Sequence, residues 1–234
     1  MIKAVFFDLD NTLVDRNSSI DRFAERFVVN FIDQLKATDA AKIASLIKEH
    51  DGGGYLSPDS GFNSLADAIS TALFEKLLWR LPPSVGDIET YWRYEFPLCS
   101  VEMPGAFSLL TQLYSHGYYL AVISNGSDKS RHRTLESTRL NTLIERVTSS
   151  QAAGVSKPSV AIFHKAIAHA GYLPEQCCYI GDHPINDIKG ANNAGMQSIW
   201  LRGFHGGQKL PEDTLTVDRL DEVLGIIDRL EGNN

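Results

Sequence analysis

The chain has 234 residues, 43% of them hydrophobic and 22% charged, which excludes a wholly disordered, collagen-like or highly charged tail protein. Its 22 basic and 29 acidic residues leave a formal charge of −7. That balance repels polyphosphate backbones and anionic membranes and argues against bulk nucleic-acid binding, although a lysine and a few backbone N–H groups can still hold a small anion locally.

A chain of this length buries enough surface to fold without disulfides or a structural metal. Cys99, Cys177 and Cys178 lack metal-ligand spacing and read as buried thiols of a reducing compartment, the cytoplasm. The opening MIKAVFFDLDNTLV carries Asp8 and Asp10 where a secretory leader has an uninterrupted apolar core, so no leader is expected. No apolar run approaches the roughly 18 residues of a membrane span.

In chain order, Ala4–Phe7 is a continuous apolar run that stops at Asp8, the pattern of a strand buried on both faces of a parallel sheet. From about residue 16 to 99 the pattern turns helical, around Ile20–Lys36, Ala40–Glu49, Phe62–Arg80 and Val85–Trp92, broken at Asp51-Gly52-Gly53-Gly54 and Leu81-Pro82-Pro83. Trp79, Tyr91, Trp92 and Phe96 in this stretch have the spacing of an internal seam, with a substrate cleft as the other reading. The glycine run of residues 52–54 is either a loop reaching over a site or a plain connection between helices.

After it, helical spacing over Pro104–His116 and Pro158–Ala170 alternates with buried runs at Tyr118–Ile123, Cys178–Ile180 and Gln197–Leu201, each ending in polar or glycine-rich residues. Weaker signals suggest strands at Arg146–Ser149 and Leu215–Val217 and helices at Ile185–Ala194 and Leu220–Leu230. The expected fold class is α/β with a mainly parallel sheet, interrupted from about residue 16 to 99 by a helical insertion.

Four strand ends carry the polar residues. Asp8-Leu9-Asp10-Asn11-Thr12 follows the first strand, and a carboxylate there is costly unless it is paired, hydrogen-bonded or bound to a cation. Ser124-Asn125-Gly126 ends the second buried run and offers a hydroxyl and backbone N–H groups to phosphate oxygens. Lys157 precedes Pro158, which is read as opening a helix and holding the lysine in the loop before it. Gly181-Asp182-His183-Pro184-Ile185-Asn186-Asp187 supplies Asp182 to complete an oxygen-rich Mg²⁺ site with Asp8, and Asp187 to orient Lys157 or a metal-bound water. His183 is read as shaping its loop, with contact to a substrate near the metal as the other reading, and Arg131, His132 and Arg133 as a solvated basic face.

These four motifs in this order resemble the haloacid dehalogenase-like superfamily, and the resemblance implies an α/β Rossmann-like three-layer core, residues 1–15 and 100–234, with the helical insertion, residues 16–99, as that family's first class of cap. The resemblance implies a cytoplasmic Mg²⁺-dependent phosphatase acting on a small phosphorylated metabolite, such as a sugar phosphate, a phosphoglycolate-like acid or a nucleoside monophosphate. Asp8 would be the nucleophile that forms a phosphoaspartate, and Asp10 the acid and then the base. Ser124, the Asn125 N–H and Lys157 would stabilise the transferred phosphoryl oxygens. Asp8, Asp182 and the Asp10 carbonyl would hold Mg²⁺, Asp187 would stand behind them, and Thr12 would support the first loop.

The acid/base carboxylate at Asp10 argues against dehalogenation. Cap lysines Lys36, Lys42, Lys48 and Lys76 read as surface charge rather than as a Schiff-base lysine of a phosphonoacetaldehyde hydrolase. A sugar-phosphate mutase and a non-catalytic phosphate-metabolite binder are the alternatives, and the oligomeric state stays open between monomer and homodimer.

Overall fold

The computed structural model describes residues 1–37, 39–57, 59–205 and 210–232. Strand β1 (Ala4–Phe7) is followed by helices α1 (Arg16–Asn30), α2 (Ala40–Asp51), α3 (Leu65–Lys76) and α4 (Val85–Glu95). Then come α5 (Ala106–Ser115), β2 (Tyr119–Ser124), α6 (Asp128–Glu136), β3 (Arg146–Ser149), α7 (Ser150–Ala153) and α8 (Val160–Ala170). The chain continues through β4 (Cys177–Gly181), α9 (Gly190–Asn193), β5 (Gln197–Leu201), β6 (Leu215–Val217) and α10 (Val223–Leu230). It forms two compact units, Met1–Asp15 with Glu102–Asn234, and Arg16–Val101. No helix among the described residues is long and apolar enough to cross a membrane.

The first unit is built on a six-stranded sheet in the order β3-β2-β1-β4-β5-β6, with every neighbouring pair parallel. This Rossmann-like order reverses direction beside β1, and in such sheets ligands bind outside the carboxyl ends of the strands at the reversal. The pleat divides the core between the two faces. Val5 and Phe7 of β1 pack with Cys178 and Ile180 of β4 against Leu109, Leu110 and Leu113 of α5 and Val223, Ile226 and Ile227 of α10. Ala4, Phe6, Cys177 and Tyr179 face Ile162, Phe163, Ala166 and Ile167 of α8 on the other side. Strands covered on both faces have no polar alternation, which is why the sequence shows them as unbroken apolar runs.

The second unit is helical, and its core is aromatic. Phe23 lies edge-on to Trp92 with centroids 4.8 Å apart, Trp92 stacks on Phe96 at 4.2 Å, and Phe31 meets Tyr91 at 5.2 Å. Trp79, Tyr91, Trp92 and Phe96 therefore belong to an interior seam, and truncating a ring such as Phe23 to alanine would cost about 3–5 kcal/mol.

Helix boundaries differ from the sequence reading where local capping decides them. Ser64 accepts the Asp67 N–H at 3.1 Å and starts α3 at Leu65 rather than Phe62. Helix α1 ends at Asn30 rather than Lys36, because residues 34–36 pair with the segment after α3 through Arg80 N–H to Gln34 C=O at 2.6 Å and Lys36 N–H to Leu78 C=O at 2.8 Å. Pro158 does not open α8. Ser159 caps that helix, which begins at Val160. The stretch expected as one helix over Ile185–Ala194 is a π-helical turn, Pro184–Lys189, followed by α9.

Candidate active site

Asp8 is the first residue beyond β1, at the reversal point of the sheet, and is 5% exposed. Its backbone N–H donates to Ile180 C=O at 2.9 Å, which continues the β1–β4 ladder and fixes the carboxyl at the strand end. Burial pushes its pKa up from the ordinary carboxylate value, and Lys157 pulls the other way.

Lys157 is 3% exposed and donates from Nζ to Asp8 Oδ1 at 2.7 Å, Asp187 Oδ1 at 2.6 Å and the Tyr179 hydroxyl at 2.9 Å. Tyr179 in turn donates to Ile123 C=O at 2.9 Å. The backbone of Lys157 is clamped by Asn125, whose Oδ1 accepts the Lys157 N–H at 2.9 Å and whose Nδ2 donates to the Lys157 C=O at 3.2 Å. The Asn125 side chain thus ties the end of β2 to the lysine loop. Its neighbour Ser124, 2% exposed, is the last residue of that strand.

The β4 end supplies two more carboxylates. Asp187 is fully buried, with Oδ1 on Lys157 and Oδ2 accepting the His183 N–H at 2.9 Å. This approach needs glycine at 181, where a Cβ would lie 2.5 Å from the Asp187 carboxyl carbon. Asp182 is 2% exposed and is pushed up to about 7, chiefly by burial. Its Oδ1 accepts from Thr12 at 3.4 Å, its Oδ2 lies 3.1 Å from His205 Nε2, and its carbonyl accepts the Trp200 indole N–H at 2.8 Å. Thr12 therefore joins the first loop to the Asp182 loop.

Asp10 stands apart from this cluster. Its Oδ2 lies 2.5 Å from Arg131 Nη1, the Arg131 side chain being 10% exposed. The reading of Arg131 as part of a solvated basic face is thereby corrected: it turns inward from α6, whereas its neighbour His132 is exposed. The pull is electrostatic, since a half-buried carboxylate two residues from Asp8 favours a nearby counter-charge. His183 works as a shaping residue. Its Nδ1 accepts from the Ile185 and Asn186 N–H groups at 3.1 and 3.2 Å and caps the π-helical turn.

Carboxylate oxygens of Asp8, Asp182 and Asp187 all lie within 4.8 Å of one another. Three buried carboxylates against one lysine leave excess negative charge, and their hard oxygen donors suit a divalent cation. The upward shifts at Asp8 and Asp182 have the same origin, because each carboxylate is penalised by burial. Both Asp187 oxygens are already held by Lys157 and the His183 N–H, so Asp8 and Asp182 are the better placed of the three to take up a metal.

The family model for haloacid dehalogenase-like hydrolases matches residues 2–195. The chain belongs to that family. Among curated relatives, a glyceraldehyde 3-phosphate phosphatase of Methanothermobacter thermautotrophicus is 34% identical over 203 residues, 85% of each chain. The pyrimidine 5′-nucleotidase YjjG of Escherichia coli is 28% identical over 226 residues, 94% of this chain and 95% of its own. Among solved structures, the HAD-hydrolase YfnB of Bacillus subtilis superposes with a TM-score of 0.72 at 21% identity, over 97% of this chain and 99% of that one. The L-2-haloacid dehalogenase of Xanthobacter autotrophicus has the same fold, with a TM-score of 0.70 at 17% identity over 97% and 98% of the two chains.

Tyr179 and His205 escaped the sequence reading, and Arg131 was placed on the wrong side of its helix. Tyr179 carried a faint signal, a hydroxyl-bearing residue inside a strand one position from the strand-end glycine's apolar neighbour. His205 carried none, being a single histidine beyond β5 that meets Asp182 only because β5 lies beside β4.

Proposed function

We propose that this hydrolase is a Mg²⁺-dependent phosphatase of the cytoplasm acting on glyceraldehyde 3-phosphate or a closely similar short sugar phosphate. The observation that carries the reading is the buried Asp8 carboxylate at the sheet reversal, 2.7 Å from Lys157, with Asp10 two residues further along the same loop. Five curated relatives named glyceraldehyde 3-phosphate phosphatase support the substrate class. Three buried free thiols, Cys99, Cys177 and Cys178, fit a reducing compartment. The helical unit, Arg16–Val101, acts as the cap that selects the leaving group.

In this reading an Asp8 carboxylate oxygen attacks phosphorus, forming an acyl-phosphate bond as the bond to the substrate oxygen breaks. Asp10 gives that oxygen its proton. Water then attacks the phosphoaspartate, Asp10 takes the water's proton, and Asp8 is regenerated as phosphate leaves. Lys157, Ser124 and the Asn125 N–H hold the phosphoryl oxygens, with Asn125 also fixing the lysine loop by its side chain. Asp187 and Tyr179 keep the ammonium aimed at Asp8. Asp8, Asp182 and the Asp10 carbonyl would hold Mg²⁺, and Thr12 steadies Asp182. When bound, the ion neutralises phosphoryl charge and offsets the carboxylate excess.

The test is phosphate release by the purified chain from glyceraldehyde 3-phosphate, sugar phosphates, small acid phosphates and nucleotides, with Mg²⁺ and with chelator. Release that needs Mg²⁺ and is abolished by Asp8→Asn is expected. A protein that frees no phosphate from the panel, or an Asp8→Asn variant that turns over normally, sinks the reading.

A further inference from the structure

We infer that Arg131 is a positioning residue for the acid and base Asp10, a role that rests on the reading of Asp10 given above. Helix α6 is anchored before it presents this side chain. Ser127 caps it by accepting the Ser130 N–H, Asp128 Oδ1 accepts from Ser149 at 2.7 Å, and the Asp128 N–H donates to Gln151 at 2.9 Å. From that fixed start Arg131 crosses the Ser124-Asn125-Gly126 turn to reach Asp10 Oδ2.

The turn is shaped for the crossing. Gly126 has φ +139°, and a Cβ there would lie 3.1 Å from Arg131 Nε, 3.3 Å from Cζ and 3.5 Å from Cδ. The glycine of this motif therefore makes room for the guanidinium. Arg131 reaches its partner with its own Nε buried and lacking a hydrogen-bond partner among the described residues. A part-buried ion pair of this kind is a poor way to gain stability, since its desolvation offsets much of the attraction. What it provides is direction. With Oδ2 fixed, rotation of the Asp10 carboxyl is restrained, and the group that must meet the leaving oxygen is held ready. Arg131 stays protonated throughout and transfers no proton.

A positioning role shows itself in the leaving group. An alkoxide leaves only with a proton, whereas p-nitrophenolate departs unassisted, so misaligned acid catalysis penalises the first substrate selectively. Values of kcat/KM are measured with Mg²⁺ for glyceraldehyde 3-phosphate and p-nitrophenyl phosphate. Arg131→Gln is expected to lose about 30-fold on the sugar phosphate and less than about threefold on the aryl phosphate. Arg131→Lys should recover part of the loss, and it also serves as the test should Arg131→Gln fold poorly. Lys129→Gln, on the exposed side of the same helix, should change neither substrate. In an Asp10→Asn background, adding Arg131→Gln should cost no more than about threefold, because the two residues act as a unit. Equal losses on both substrates, or an undiminished loss on top of Asp10→Asn, would overturn the role of Arg131 while leaving Asp10 as the acid. If Asp10→Asn itself fails to discriminate between the substrates, the acid assignment falls and this one falls with it.

Discussion

Replacing Lys157 with methionine keeps the apolar stem of the side chain and removes its terminal ammonium. Three hydrogen bonds, to Asp8, Asp187 and Tyr179, disappear together, and two carboxylates that shared one ammonium are left buried side by side. Breaking a buried ion pair by deleting one partner costs about 3–5 kcal/mol. For a protein of this size each kcal/mol moves Tm by roughly 2–4 °C, so the metal-free variant should melt about 6–20 °C below the parent. Near-ultraviolet circular dichroism in the presence of chelator follows the unfolding. Saturating Mg²⁺ should return more stability to Lys157→Met than to the parent, because the carboxylate excess it relieves is larger; about 2.7 kcal/mol is available at a hundredfold excess over Kd. A Tm shift below about 3 °C, or a Mg²⁺ increment equal in the two proteins, would refute the idea that Lys157 holds the carboxylates together.

Other positions make separate demands. Gly181→Ala should cost about 1–3 kcal/mol in urea denaturation and displace Asp187 from Lys157 in a crystal structure, since its Cβ would fall 2.5 Å from the Asp187 carboxyl. In the helical unit, Arg16 grips Asp51 through two bonds of 2.8 and 2.6 Å with both residues 4% exposed. Arg16→Met should lose about 3–5 kcal/mol, and Arg16→Met with Asp51→Leu should recover most of it, as chemical denaturation would show. Burial holds His183 down to about 4 from its usual 6.5, and its neutral Nδ1 accepts two backbone N–H groups. The unfolded chain then takes up this proton first, so His183's contribution is intact above pH 6.5 and is lost as pH falls towards 4. Tm measured against pH should show a shallower acid limb in His183→Asn than in the parent, and parallel limbs would contradict this.

What the sequence made legible follows from the physics of each element. Strands buried on both faces write themselves as uninterrupted apolar runs, and β1, β4 and β5 were readable for that reason. So were Asp8, Lys157 and Asp182, because each sits next to such a run or beside a proline or glycine, while Asp187 was legible only through the spacing of the motif that starts at Gly181. Arg131 was not readable. It lies in a polar helix beside His132 and Arg133, and only a partner 121 residues away turns it inward. His205 depends likewise on the lateral order of strands rather than on its neighbours. The π-helical turn after Gly181 was missed because its start is set by the His183 ring accepting two N–H groups, a local competition that apolar spacing does not record.

Strand β1 precedes the other five strands in the chain and stands in the middle of the sheet, yet its hydrogen-bonding partners begin at Tyr119 on one side and Cys177 on the other. An emerging chain therefore carries Ala4–Phe7 as an apolar strand with two open edges while the whole helical unit is made. Such edges are templates for pairing with other chains, and contacts this distant in sequence form slowly. Asp8 and Lys157 come together only after β4 has docked, so no nascent fragment shorter than about residue 181 has the nucleophile in place. Production of this protein should be limited by the interval before β4 arrives, and conditions that slow aggregation during that interval should raise the yield of active chain more than conditions that stabilise the finished fold.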